Sequence, residues 1–178
     1  LLFSFGGVGV KNTKLNALEY QVLTTLASLA LHGGRGLLAV SGGLDSRVLC
    51  AVMARLAPRY AMQFELAYIH HGRYGSSQQI DYRDQAQAFT EALASQYNWP
   101  FQTTEIMEPV HSEAELRKQR YRALETILHR REFTTLWLAH HRDDQMETQL
   151  LRLIRGTDVH GFAAMHVRSG ARVRPLLE

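Results

Sequence analysis

An apolar run, Leu37-Leu38-Ala39-Val40, passes directly into Ser41-Gly42-Gly43-Leu44-Asp45-Ser46 and then into an amphipathic stretch from Arg47 to Ala57. That succession constrains the chain more than any other feature. It reads as a buried strand, a tight glycine turn and a helix start. Such a junction offers free backbone N–H groups and the positive end of a helix dipole to whatever sits in the turn. Gly42 and Gly43 let the backbone approach an anion closely and adopt positive φ without steric cost. Ser41 and Ser46 add hydroxyl donors. Asp45 would repel a bare phosphate, so its presence fits a cradle in which Mg²⁺ is bridged. The loop is therefore expected to hold a nucleoside triphosphate through Ser41, Gly42, Gly43, Leu44, Asp45 and Ser46, with Asp45 as the Mg²⁺ ligand. A plainer account makes it a βα turn in which Asp45 caps the helix. The pattern matches neither the Walker loop nor the G-x-G-x-x-G turn.

The rest of the chain alternates between helix and strand patterns. Asn16 to Leu31 carries helical spacing, and Gly33-Gly34 ends it. A second strand, Phe64 to Ile69, runs into His70-His71-Gly72, and the polar loop Arg73 to Gln79 leads to a helix through Ala86, Phe89, Leu93 and Tyr97. Phe101 to Ile106 reads as a third strand. Ser112 and Glu115 have capping-box spacing at the start of a helix that turns Leu116, Tyr121, Leu124, Ile127 and Leu128 inward and shows Arg117, Lys118, Arg120 and Arg122 on its other face. A fourth strand, Thr134 to Ala139, ends in His140-His141-Arg142-Asp143-Asp144. A helix from Gln145 to Arg155 and a fifth strand within Arg172 to Leu177 complete the order. The alternation predicts an α/β fold: a five-stranded parallel sheet with helices on both faces. Ligands of such sheets bind beyond the carboxyl ends of the strands. Three strands end there in polar clusters: the glycine loop, His70-His71, and His140 to Asp144.

Composition narrows the function classes. The chain has 178 residues, enough for one domain with its own core. Its single cysteine, Cys50, excludes an intrachain disulfide or an all-cysteine cluster within one chain, and its helical face, shared with Met53 and Ala54, suggests a core position. No apolar run approaches the roughly 18 residues needed to span a bilayer. The opening residues lack a signal-peptide pattern, so a cytoplasmic location and no membrane partner are expected. They also lack an initiator methionine, which reads as a fragment. The formal charge of +3 is uneven. Residues 117–178 carry 12 basic and 7 acidic side chains, against 8 and 10 in residues 1–116, a bias that suits a polyphosphate or nucleic-acid partner.

The segment from Leu138 to Gly156 is the second strong signal. Asp144 and Glu147 have the spacing of an N-cap and its partner three residues on. Capping leaves His140, His141, Asp143 and Arg155 unexplained. Three acids within five positions, beside a basic helix and a triphosphate loop, suggest a pocket for a cationic group.

The glycine loop resembles the SGGxDS loop of the ATP pyrophosphatases. The 138–156 segment is similar to the HHxxDDQxETxLLRLxRG signature of the tRNA(Ile)-lysidine synthetase family, N-type members of that group. Ile69-His70-His71-Gly72, the Glu115 to Tyr121 helix, Gly161-Phe162-Ala163-Ala164-Met165 and Arg174-Pro175-Leu176-Leu177 resemble further blocks of the family, in order over residues 37 to 177. Tyr74 and Thr157-Asp158 depart from its pattern, and residues 1–15 match none of it.

The resemblance implies a PP-loop ATPase fold, of the adenine nucleotide alpha hydrolase type, over residues 16–178, with 1–15 unassigned. It implies a ligase that adenylates the wobble cytidine of an isoleucine tRNA with a CAU anticodon, using ATP and Mg²⁺ and releasing pyrophosphate. The amine of free lysine then displaces AMP to form lysidine. It assigns catalytic roles to Asp45, Arg120 and Asp144, with Arg117 as the alternative to Arg120 at the α-phosphate, and lysine binding to Asp144 and Glu147. A homodimer is compatible with it. The chain is expected to stop before the family's tRNA-binding regions, and so to be inactive alone and to bind RNA unselectively. The rival readings are tRNA thiolation, a non-catalytic binding module, and a metal-dependent phosphohydrolase built from His70, His71, His140, His141, Asp143 and Asp144.

Overall fold

The computed structural model describes residues 14–108, 110, 112–146, 150 and 165–177 of the chain. Helix α1 (Ala17–Ser28) precedes strand β1 (Arg35–Ala39), helix α2 (Leu44–Leu56) and a 3₁₀ turn (Ala57–Tyr60). Strand β2 (Gln63–His70), helix α3 (Ser77–Gln96), strand β3 (Phe101–Glu105), helix α4 (Glu113–Arg130) and strand β4 (Thr135–Trp137) follow. Residues 142–146 are helical. Strands β5 (Arg168–Ser169) and β6 (Arg172–Val173) close the order.

The sheet has six strands in the order β3-β2-β1-β4-β6-β5. Every pairing is parallel except β5 with β6. The expected parallel core is thus present, and a short antiparallel hairpin on one edge makes six strands of five. Two-residue strands carry no periodicity that a sequence reading can detect. The fifth expected strand is shorter than Arg172 to Leu177, although Leu176 still bridges His141 in parallel. The expected helix from Gln145 begins at residue 142, and residues 147–149 and 151–164 lie outside the described residues, as does nearly all of the unassigned segment 1–15.

The crossovers β1-α2-β2 and β2-α3-β3 step one way along the sheet; β3-α4-β4 reverses direction and places α4 on the other face. Each face buries its own apolar cluster. One joins α1, α2 and the end of α3 to Leu38, Phe64, Leu66 and Trp137. The other joins Leu124, Ile127 and Leu128 of α4 to Leu37, Ala67, Ile69 and Leu136. Successive residues of β1, Leu37 and Leu38, therefore serve opposite faces, as a pleated central strand requires. Cys50 is fully buried in the first cluster, and burial pushes its thiol up to about 12.

Helix starts follow local chemistry. Asn16 with Glu19 and Ser76 with Gln79 form reciprocal capping boxes. Ser112 Oγ accepts the Glu115 N–H at 3.2 Å. At the other end of the sheet, buried Glu65 accepts from Arg35 (2.9 Å), Arg131 (2.8 Å) and Gln102 (2.9 Å), tying β1, β2, β3 and the end of α4 together. Burial would raise its pKa, but these donors together outweigh burial and hold it below the usual carboxylate value. No helix among the described residues is long and apolar enough to cross a membrane.

Gly36, the second residue of β1, packs against two aromatic rings. A Cβ there would lie 2.7 Å from both Phe64 Cε1 and Trp137 Nε1. Gly36→Ala is expected to cost about 1–3 kcal/mol through overpacking of that face. Urea unfolding measures it; an unchanged midpoint would show that the two rings yield freely.

Candidate active site at the carboxyl edge of the sheet

The topology reverses between β1 and β4, and there the carboxyl ends of neighbouring strands open a crevice. A cavity of about 450 Å³ occupies it. Its walls include Ser41, Asp45 and Ser46 after β1, His71 after β2, and His140 and Asp144 after β4. The three polar strand ends read from the sequence do converge. Helix α4 adds Arg117 and Arg120, and α3 adds Tyr82 and Arg83.

The glycine loop is shorter than its sequence suggested, because α2 starts at Leu44 and takes Asp45 and Ser46 into its first turn. Gly42 alone of the two glycines has positive φ (85°), and a Cβ on it would meet Ala86 Cβ of α3 at 2.8 Å. Gly43 has an extended backbone (φ −73°) and stands at the N-cap of α2 with no side-chain hydrogen bond capping the helix. The two serines brace the turn from inside. Ser46 Oγ donates to Gly43 O (2.9 Å) and accepts the Ser41 N–H (3.3 Å), while Ser41 Oγ accepts the Gly43 N–H (3.3 Å). Leu44 is exposed at the rim. Asp45 is not a capping residue here; its carboxylate is more than half exposed.

The second cluster departs from the expected cap. His141, not Asp144, stands at the N-cap, since the Gln145 N–H reaches His141 O (3.4 Å). Asp144 lies in the first helical turn and its Oδ2 accepts the His141 N–H (2.8 Å), the reciprocal half of a capping box. The Asp143 N–H donates to His141 Nδ1 (3.2 Å). With Nδ1 accepting, the ring proton sits on Nε2, which lies 3.6 Å from Asp45 Oδ2 and 3.6 Å from Asp144 Oδ2. One imidazole thus draws together the carboxylates of two strand ends. Both remain partly exposed and beyond hydrogen-bond length from it. Glu147 lies outside the described residues.

Opposite these acids is a cationic wall. Arg117, Arg120 and Arg172 place their guanidinium carbons 5.6, 5.8 and 4.5 Å from the centre of the Tyr121 ring. Arg172 is paired with Glu125. Arg117 and Arg120 have no carboxylate partner among the described residues. Lys118 and Arg122, grouped with them in the sequence, are exposed and do not line the cavity. Two histidines join this wall in neutral form. Burial first, then the Arg120 and Arg83 charges, holds His71 down to about 4. Burial first, then Arg117 and Arg174, does the same for His140.

His70 belongs to the scaffold. Its Nδ1 accepts the Gly72 N–H (3.2 Å) and its Nε2 faces Asp84 (3.1 Å), whose carboxylate also takes two bonds from Arg73. Tyr82, Arg83 and Tyr121 were not singled out as site residues in the sequence. Tyr121 reads there as a core residue, and α3 is too polar to announce a lining face. Among the described residues no group of three or more His, Cys, Asp or Glu side chains is placed to hold a metal ion. A Mg²⁺ that keeps its waters and substrate phosphates needs only one or two carboxylates, and the exposed carboxylate of Asp45 at the cavity fits that requirement.

The chain belongs to the PP-loop family: the profile of the PP-loop domain matches residues 15–178. Its relatives include the tRNA(Ile)-lysidine synthase of Bdellovibrio bacteriovorus, 38% identical over 161 residues that make up 90% of this chain and 49% of that protein. The tRNA(Ile)-lysidine synthase of Burkholderia mallei is 39% identical over 150 residues, 79% of this chain and 29% of that protein. The chain thus spans half or less of the length of these two relatives. In fold it is similar to the U34-tRNA thiolase NcsA of Methanococcus maripaludis (TM-score 0.71, 17% identity, 89% of this chain and 58% of that one).

The neutral histidines give a test of the site's electrostatics. The unfolded chain takes up protons on these residues near 6.5, whereas the folded chain resists to about 4. Their contribution is complete above 6.5 and is lost as pH falls from there towards 4. NMR titration of the ring protons should place the His71 and His140 midpoints near 4. Midpoints near 6.5 would contradict the burial of these two rings beside the arginines.

Proposed function

We propose that the chain carries the catalytic centre for ATP-dependent ligation of lysine to C2 of the wobble cytidine of an isoleucine tRNA with a CAU anticodon. The observation that carries this reading is the meeting of a phosphate cradle, an arginine wall and two carboxylates on one cavity. A triphosphate in the Ser41–Ser46 turn would meet the uncapped first turn of α2 with its β- and γ-phosphates. Arg120, with Arg117 beside it, would neutralise the α-phosphate as the cytidine O2 attacks it and the bond to pyrophosphate breaks. Asp45 would hold Mg²⁺, which supplies Lewis-acid stabilisation of the leaving pyrophosphate. In the second step the side-chain amine of lysine attacks C2, the C–O bond to AMP breaks and the amine loses a proton. Asp144, together with Glu147, would hold that amine through its approach. The similarity to the lysidine synthases supports this choice of nucleobase and amine.

The rival chemistries are less well supported. Thiolation through cysteine ligands would need more than the chain's single cysteine, which is buried and strongly disfavoured as a thiolate. A histidine-based metallohydrolase would need His70, which is already committed to Gly72 and Asp84.

Two substitutions separate nucleotide from lysine binding. Asp45→Ala should weaken Mg²⁺-dependent ATP binding about tenfold or more, at least 1.4 kcal/mol, with the fold intact. Asp144→Asn keeps an oxygen to accept the His141 N–H, so its melting temperature should hold, while calorimetric lysine affinity falls about tenfold or more. Unchanged ATP affinity in the first variant would refute the Mg²⁺ assignment. Unchanged lysine affinity in the second would reduce Asp144 to a capping residue.

A further inference from the structure

Arg174 is only 6% exposed. Its Nη1 donates to His166 O (2.9 Å), and its buried Nε has no partner. No carboxylate among the described residues pairs with it. A buried cation left in that state is costly unless an anion meets it. Beside it lies a second incomplete group, His140, whose buried Nδ1 also has no partner and whose side chain lines the cavity.

The register places Arg174 beside the end of β4, the strand end that carries the cavity-lining His140. Leu136 pairs with Arg172, Trp137 with Val173, and the Leu138 N–H donates to Val173 O (2.9 Å), so Arg174 continues β6 alongside the end of β4. Two residues before it, Arg172 reaches Glu125 of α4, and alternation puts Arg174 on that same α4 face, one step nearer the carboxyl edge. Arg172 is neutralised by Glu125; Arg174 is not. The Arg174 charge is felt at His140, and so is that of Asp144.

Across the edge the order is then the glycine loop at β1, the carboxylate of Asp144 after β4, and the guanidinium of Arg174, with no described carboxylate partner, after β6. Neighbouring strands are about 4.8 Å apart, so Arg174 stands two strand spacings, on the order of 10 Å, from the strand that carries the loop. Phosphates have the loop and Arg117 with Arg120 for partners. An acid followed by a cation, on the side away from the phosphates, is the charge pattern of a free amino acid lying with its side-chain amine towards the reaction and its carboxylate away from it.

Resting on the ligation reading above, we propose that Arg174 binds the carboxylate of the free lysine and so makes the site select an amino acid over a simple amine. The test titrates lysine, 6-aminohexanoate and 1,5-diaminopentane into the chain with Mg²⁺ and a non-cleavable ATP analogue. The wild type is compared with Arg174→Gln. The wild type should bind lysine and 6-aminohexanoate about tenfold or more tighter than the diamine, which lacks a carboxylate. Arg174→Gln should bind all three as the wild type binds the diamine, with nucleotide affinity unchanged.

Equal weakening of all three ligands, or loss of the nucleotide, would overturn the inference and make Arg174 a structural or phosphate-binding cation. Lysine binding that survives in Arg174→Gln would do the same and leave the ligation reading standing. A wild-type chain that binds the nucleotide but not lysine would overturn that reading and this inference with it. Where Arg174→Gln does not fold, the wild-type ranking decides alone: a diamine bound as tightly as lysine refutes the role.

Discussion

The contact between Gly42 and Ala86 underlies the rest of the site. The glycine loop can follow β1 only because the chain turns at positive φ where α3 leaves no space for a Cβ. That close approach lets α2 start at Leu44, so its first turn opens onto the carboxyl edge with Asp45 and Ser46 already in it. The reversal of direction between β1 and β4 then sets a second polar strand end beside the first, and α4 covers the crevice from the other face. Both the glycine turn and its neighbours thus follow from one tight packing contact and one change in strand order.

Charge is divided across this edge. Asp45 and Asp144 gather about the Nε2 of His141, while Arg117 and Arg120 stand on the opposite wall. Stacking against Tyr121 restrains guanidinium groups that no described carboxylate neutralises. The neutral imidazole of His71 lies among the arginines and that of His140 between them and Asp144, so the wall offers both as hydrogen-bonding groups without adding to its charge. A site with separate cationic and anionic halves suits a reaction that brings a polyphosphate and an amine together. Either substrate alone would leave half of these charges without a purpose.

Much of this was legible in the sequence because the informative residues are contiguous. The strand, glycine pair and helix around Ser41–Ser46 announce a tight strand–turn–helix junction by local pattern alone, and the alternating elements announce a parallel sheet. Asp144 was also visible, although as an N-cap; the structure moves the cap to His141 because the helix begins three residues earlier than its apolar pattern. What the sequence hid depends on residues far apart in the chain. Tyr121 looks like a core residue until Arg172 stacks on it from the far edge of the sheet. His70 and His71 are indistinguishable as neighbours, yet strand alternation commits one to Asp84 and leaves the other on the cavity wall. Gly43 reads like Gly42 but needs no positive φ.

The central claim is that the Ser41–Ser46 turn is a triphosphate cradle whose Mg²⁺ rests on Asp45. The most direct measurement is a crystal structure of the chain with Mg²⁺ and α,β-methylene-ATP, in which the bond that ligation would break is not cleavable. The account predicts the β- and γ-phosphates against the backbone N–H groups of Gly43 to Ser46, the metal on Asp45, and the α-phosphate turned towards Arg120. A nucleotide bound elsewhere on the molecule, or phosphates in the turn with the α-phosphate facing away from Arg120, would contradict it.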